Sequence, residues 1–248
     1  VNDNLKYRKL AGIIIPACLL LLYILYPPLQ TAVLRLIFPG QPAYLHPRVS
    51  LLSMTITHLG ITLLATLLSL VTGTALGIFV TRRAGKAFLS LVRHTNALLQ
   101  SLPPSAMIIL AYPLLGFGWK PTLLALFFYS LLPVAGNTII GFQSVSEAVL
   151  DSADGLGMKE MERLRIVELP IAFPHILTGI RHAFILNLGT AAIGAVIGAG
   201  GLGSIIMSGL LSRNSALVFS GTLVITSTAL ISEKVFSLLA PRRGIIRT

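Results

Sequence analysis

Apolar runs long enough to cross a bilayer recur along nearly the whole chain, and this constrains its fold more than anything else in the sequence. One crossing takes about 20 residues, so 248 residues hold several crossings and little else. Reading the runs between turn and charge signals predicts six helices, over roughly 10–26, 56–80, 98–117, 121–142, 172–199 and 215–239. Backbone polar groups in hydrocarbon must pair internally, which leaves helices or a closed barrel. Barrel strands alternate apolar and polar residues, whereas the run from Ile61 to Leu70 does not. The expected class is therefore an all-α membrane protein. Only 11% of the residues are charged and mean hydropathy is +0.86. Soluble domains carry about 25% charge, which argues against a free-standing soluble enzyme.

The first run follows Lys6, Arg8 and Lys9 and is trailed by Tyr26, Pro27 and Pro28, with no small-residue cleavage site. It reads as a retained helix rather than a signal peptide. The net charge of +11 would suit nucleic acid, but in a membrane chain it is better explained by basic residues held on the cytoplasmic side. With the N-terminus inside, the cytoplasmic set is Lys6, Arg8, Lys9, Arg82, Arg83, Lys86, Arg93, Lys159, Arg163, Arg165, Arg181, Lys234, Arg242, Arg243 and Arg247. The opposite side holds Arg35, Arg48, Lys120 and Arg213, a bias of fifteen against four that predicts cytoplasmic N- and C-termini. The outer connection 27–50 carries five prolines and reads as extended and turn-rich. The lone Cys18 excludes a disulfide framework and a cysteine metal site.

Six of the eight acids lie between Glu147 and Glu168, in the connection after the fourth span. Within 143–171, Ser144-Val145-Ser146-Glu147 reads as a capping box opening a short helix to about Asp154. Gly155 and Gly157 permit a turn. A second polar helix is expected from Met158 to Val167, ending at Leu169-Pro170. Composition alone serves a docking knob and a solvated loop equally well.

Spacing goes further. Asp151-Ser152-Ala153, three residues, Gly157, nine residues, then Val167-x-Leu169-Pro170 resembles the coupling motif of bacterial ABC importer permeases. That motif is Glu-Ala-Ala, x3, Gly, x9, Ile, x, Leu-Pro. Here Asp151, Ser152 and Val167 replace its Glu, first Ala and Ile. Gln100-Ser101-Leu102-Pro103-Pro104, Gly179-Ile180-Arg181, Asn187-Leu188-Gly189-Thr190-Ala191 and the glycine-rich 197–203 are similar to the glycine betaine/choline (osmoprotectant) branch. The resemblance covers roughly 50–240. It implies a type I ABC importer permease fold over 51–248, preceded by a helix and outer loop over 1–50, in the bacterial cytoplasmic (inner) membrane. It also implies ATPase coupling through Asp151, Ser152, Ala153, Gly155 and Gly157, with Leu169 and Pro170 fixing the segment to the fifth span. The implied partners are two ATP-binding cassette subunits, a second permease chain, a periplasmic or lipid-anchored substrate-binding protein and membrane lipid, without nucleic acid.

Motifs for chemistry are scarce. Gly198-x-Gly200-x-x-Gly203 spells a dinucleotide-binding string, but a membrane helix precedes it and Val218 to Leu223 holds no acid, so it reads as a glycine break. No phosphate loop occurs, so the chain is expected to be no enzyme and to hold no cofactor, with ATP and Mg bound by the partner ATPase. His46, His58, His94, His175 and His182 lack ligand spacing and read as interfacial. Gly73-x3-Gly77 and Gly194-x3-Gly198 permit close helix approach, within the bundle or, for the second pair, between two chains. Pro103, Pro104, Pro113 and Pro133 break or kink the third and fourth spans, so the third to fifth spans are expected to border the translocation path.

Aromatic faces suit the quaternary ammonium solute that the resemblance implies. Tyr112, Trp119, Phe127, Phe128 and Tyr129 are near the expected path, and Asn187 and Thr190 are polar within the fifth span. Tyr112, Tyr129, Asn187 and Thr190 are the path candidates. Open alternatives are an amino-acid permease such as one for methionine, an ergothioneine permease, and a stand-alone channel or intramembrane enzyme.

Overall fold

The computed structural model describes the backbone of residues 2–240 and the side chains of 10–95, 98 and 101–240. The side chains of Lys6, Arg8, Lys9, Arg242, Arg243 and Arg247, counted toward orientation, and of Gln100 lie outside the described residues. Every regular element described is helical: α1 Asn2–Leu25, α2 Pro27–Ile37, α3 Leu51–Thr81, α4 Leu89–Ser101, α5 Pro104–Leu115 and α6 Trp119–Gln143. Then follow α7 Glu147–Gly155, α8 Glu160–Arg163, α9 Leu169–Thr190, α10 Leu202–Leu211 and α11 Ser215–Leu239. Four stretches are long and apolar enough to cross a membrane: α3, α6, the run Glu160–Ile197, and α11. The bent pair Leu10–Leu25 and Pro27–Ile37 makes up to five.

One expected break is present, and two other expectations need correction. The third crossing is not one helix. Pro103 and Pro104 interrupt it, and it divides into α4 and the short α5, because a proline supplies no N–H and is accommodated at a helix start. The outer connection is not extended throughout either. Pro27 and Pro28 fill the first turn of α2, where a missing N–H costs nothing, and α2 turns 98° from the preceding helix. Gln30 holds this bend by donating to the carbonyls of Tyr23 (2.8 Å) and Ile24 (3.0 Å), which have run out of helical donors. Finally, the polar helix after Gly157 does not stop at Leu169-Pro170 but runs on into α9.

Helix directions follow from paired contacts. Cβ atoms added to Gly73 and Gly77 would meet Val134 and Thr138 in the same order, so α3 and α6 run parallel. His58 pairs with Leu188 and Arg82 with Glu168, so α9 runs antiparallel to α3. Tyr23 bonds Ser220 and Lys234 bonds the Gly12 carbonyl, so α1 and α11 are antiparallel. Tyr23, Leu51, Met54, Leu202 and Leu217 cluster at one end of the bundle. The start of α1, the end of α11 and the polar α7–α8 segment lie at the other.

The packing of α3 inverts that of a soluble helix. Its buried positions include Thr55, His58, Thr62, Thr66, Ser69, Gly73 and Gly77, while Leu52, Ile56, Leu63, Leu64, Leu67 and Val71 face outward. Lipid tails are as apolar as leucine, so large apolar residues gain little by turning inward, and close contact with interhelical hydrogen bonds drives association. Gly73 and Gly77 therefore pack within the bundle, as does Gly194, which meets Thr122.

Candidate coupling knob and translocation groove

The knob begins where α6 ends. Ser144 donates its hydroxyl to the Gly141 carbonyl (2.7 Å), and Ser146 precedes α7 without a side-chain cap. The expected capping box is thus absent, because Ser144 still has helical backbone and its hydroxyl turns back into α6. Helix α7 closes with a Schellman turn: Gly157 N–H bonds the Asp154 carbonyl (2.9 Å) and Met158 N–H bonds Ala153 (3.2 Å). This turn requires Gly157 at φ +77°, a conformation that strains any side chain with a Cβ. The three-residue gap between Ala153 and Gly157 is the span of that turn. Ala153 is buried, anchoring α7, while Asp151, Ser152, Gly155 and Gly157 are exposed. Leu156 and Met161 stand 77% and 57% exposed beside the acids, an apolar patch on an otherwise charged knob.

Between α8 and α9 lies a π-helical turn, Leu164–Glu168, in which the Leu169 N–H bonds the Leu164 carbonyl. The next residue, Pro170, has no N–H to offer Ile166, and the ladder widens to i→i+5 just before it. Five residues along an ordinary helix is a turn and about 140° more. The wider turn brings Arg163 and Glu168 to one side, where Arg163 Nε donates to Glu168 Oε1 at 3.1 Å.

Glu168 is 4% exposed. It also receives both terminal nitrogens of Arg82, at 3.0 and 2.6 Å, just past the end of α3. Arg82 lies over the Phe142 ring, 5.1 Å from its centroid, and Arg163 goes on to pair with Asp154 of α7. Arg82, Glu168, Arg163 and Asp154 thus form one ion-pair chain between α3 and the knob. In the sequence Arg82 and Arg163 stand out only as basic residues of the cytoplasmic set. Asp154 and Glu168 stand out only as members of the acid cluster, with Glu168 also inside the Val167-Glu168-Leu169-Pro170 stretch.

A groove of about 620 Å³ runs between α6 and α9, lined by Tyr129, Pro133, Gly136, Asn137 and Ile140 on one side and His182, Ile185 and Leu186 on the other. Pro133 removes the N–H that would take the Tyr129 carbonyl. Asn137 donates to the Pro133 carbonyl at 2.8 Å. Of the four path candidates, Tyr129 lines this groove. Tyr112 packs edge-on against Phe117 at 4.6 Å, at the end of α5. Asn187 is fully enclosed, donating to Thr66 Oγ1 at 3.1 Å, and its carbonyl oxygen has no hydrogen-bond partner. Thr190 is half-buried at the last turn of α9. Asn137 and His182, which the sequence reading left off the path, share the groove with Tyr129.

The glycine-rich 198–201 connects a 3₁₀ turn, Ala191–Ile197, to α10, as a break rather than a nucleotide loop. Among the described residues no cluster of His, Cys, Asp or Glu has the arrangement of a metal site.

A family profile for the inner membrane components of binding-protein-dependent transport systems matches residues 73–245. The glycine betaine/carnitine/choline transport system permease protein OpuCB of Bacillus subtilis (strain 168) is 37% identical over 187 residues, which are 75% of this chain and 85% of that protein. The osmoprotectant import permease protein OsmY of Salmonella typhimurium (strain LT2) is 37% identical over 193 residues, 78% of this chain and 80% of its own length. A chain of the inward-facing MetNI methionine ABC transporter superposes with TM-score 0.61, covering 75% of this chain and 94% of its own at 20% identity, a likeness of fold. With its helical membrane bundle and protruding polar segment, the chain belongs to the inner membrane components of binding-protein-dependent transport systems, the permease subunits of ABC importers.

Proposed function

We propose that this permease carries small quaternary ammonium osmoprotectants, such as glycine betaine, choline or carnitine, inward across the bacterial cytoplasmic (inner) membrane. The observation that carries the solute class is the 37% identity to a glycine betaine/carnitine/choline permease over most of both chains. The groove is compatible with it: Tyr129 offers an aromatic ring, and no acid or base other than His182 lines the walls. A methylated ammonium cannot donate hydrogen bonds and is held by aromatic faces.

Two copies of this chain, or this chain and a homologue, enclose the path, with residues 51–248 as the transport domain. The fifteen-to-four distribution of basic residues supports placing both termini and the knob in the cytoplasm. There two cassette ATPases, which bind ATP and Mg, seat α7 through Leu156, Asp151 and the surface around Gly157. A periplasmic or lipid-anchored binding protein delivers solute from outside. ATP binding draws the ATPases and their knobs together and opens the path outward, and hydrolysis resets it. Each step is a shift between two states by a partner that binds one of them better.

Reconstitution into proteoliposomes with the cognate ATPase and binding protein tests the proposal. ATP-dependent uptake of labelled glycine betaine or choline is expected, with methionine neither carried nor competing. Uptake of methionine, or uptake without the ATPase, would refute it.

A further inference from the structure

We infer that Glu168 is a positioning residue for energy coupling, tying the knob to α3, to which no short stretch of backbone joins it. This rests on the reading of the knob as the ATPase-docking element. Covalently, α7 and α8 continue only into α6 on one side and α9 on the other. Helix α3 ends at Thr81, far earlier in the chain, and its polar link to the knob is Arg82 on Glu168. From Glu168 the ion pairs continue through Arg163 to Asp154 in the last turn of α7.

The arrangement suits transmission. A carboxylate as buried as Glu168 is tolerated only when fully paired. The two-pronged Arg82 contact fixes direction as well as distance, which a lysine would not do. Stacking on Phe142 orients Arg82 from the α6 side. At the other end of the bundle α3 and α9 are joined again, by His58 on the Leu188 carbonyl at 2.8 Å and Asn187 on Thr66. Clamped at both ends, α3 and α9 move as one body when α7 is displaced. Without Glu168, α9 is free to pivot on its π turn while α3 stays behind.

The test is ATP hydrolysed per glycine betaine carried, in the permease reconstituted with its ATPase and binding protein. Glu168→Gln and Arg82→Gln should each raise this ratio about fivefold or more, with the ATPase still captured at wild-type yield. The double variant should be no worse than either single one. Glu168→Asp, which keeps the charge, should bring the ratio back to within about twofold of wild type. An unchanged ratio in an assembled Gln variant overturns the inference. Failure of both Gln and Asp variants to insert or to capture the ATPase also overturns it, making the pair a folding staple. If the wild-type complex hydrolyses ATP yet carries no glycine betaine, the solute reading fails instead. The relay is then read from stimulation of hydrolysis by the binding protein, which the Gln variants should lose and Glu168→Asp should keep.

Discussion

His58 Nε2 lies 2.8 Å from the carbonyl oxygen of Leu188, joining the start of α3 to the last turn of α9. The ring is 1% exposed, and the carbonyl is one of those that run out of helical donors as α9 passes into its 3₁₀ turn. A carbonyl oxygen only accepts, so Nε2 carries the proton. His58→Leu leaves the carbonyl without its protein partner in a buried site, at a cost of about 1–3 kcal/mol. The thermal midpoint of the detergent-solubilised protein should fall, and His58→Gln, which keeps a donor, should lose less.

Helices α3 and α6 meet where α3 lacks a side chain. A Cβ on Gly77 would lie 2.6 Å from the Cβ of Thr138. Gly77→Ala should therefore cost about 1–3 kcal/mol through overpacking, despite the higher helix propensity of alanine. Thr138→Gly in the same chain should recover part of that loss. Additive losses in chemical denaturation would show that the two positions do not press on each other.

Gly157 tests the turn that closes α7. Asparagine tolerates a left-handed backbone and valine does not. Gly157→Asn should keep most uptake, whereas Gly157→Val, with about 1–3 kcal/mol of local strain, should lose ATPase capture and uptake while inserting normally. Blue-native electrophoresis of the assembled complex beside membrane abundance separates the two effects. Loss of insertion would mean that the turn serves folding alone.

Tyr129 tests the groove. If its ring meets a cationic solute, Tyr129→Ala forfeits about 0.5–2 kcal/mol, read as a higher KM for transport at saturating binding protein. Tyr129→Phe keeps the ring and should stay near wild type. Equal effects of both variants would point to the hydroxyl instead.

Of the six crossings expected, four or up to five are single stretches long and apolar enough to cross. These, the polar segment between α6 and α9, and the Ala153–Gly157 turn were legible in the sequence, because each is set by a continuous local stretch of chain. Run length, charge density and the span of a Schellman turn are local quantities. Proline was harder to read. Pro103 and Pro104 announced a break, but Pro27 and Pro28 open a helix where a loop was expected, since the same residue starts helices as readily as it ends them. The groove was half legible. Tyr129 stood out by chemistry, whereas Asn137 and His182 join it only because α6 and α9 face each other there.

The sequence by itself determined that this is a helical membrane chain with one charged protrusion, since bilayer thickness and the need to pair every backbone group admit no other use of such runs. Only the tertiary structure decided which side of each helix faces inward. Lipid accepts large apolar side chains on any side, so no apolar stripe marks the buried face of α3, which small and polar residues such as Thr62, Thr66, Ser69, Gly73 and Gly77 line instead. Only the structure, too, decided that Glu168 would meet Arg82 from 86 residues away. Nothing in the local pattern of either residue prescribes that pairing. It exists because a π turn beside Pro170 and the end of α3 bring one buried carboxylate and two guanidinium groups to the same place.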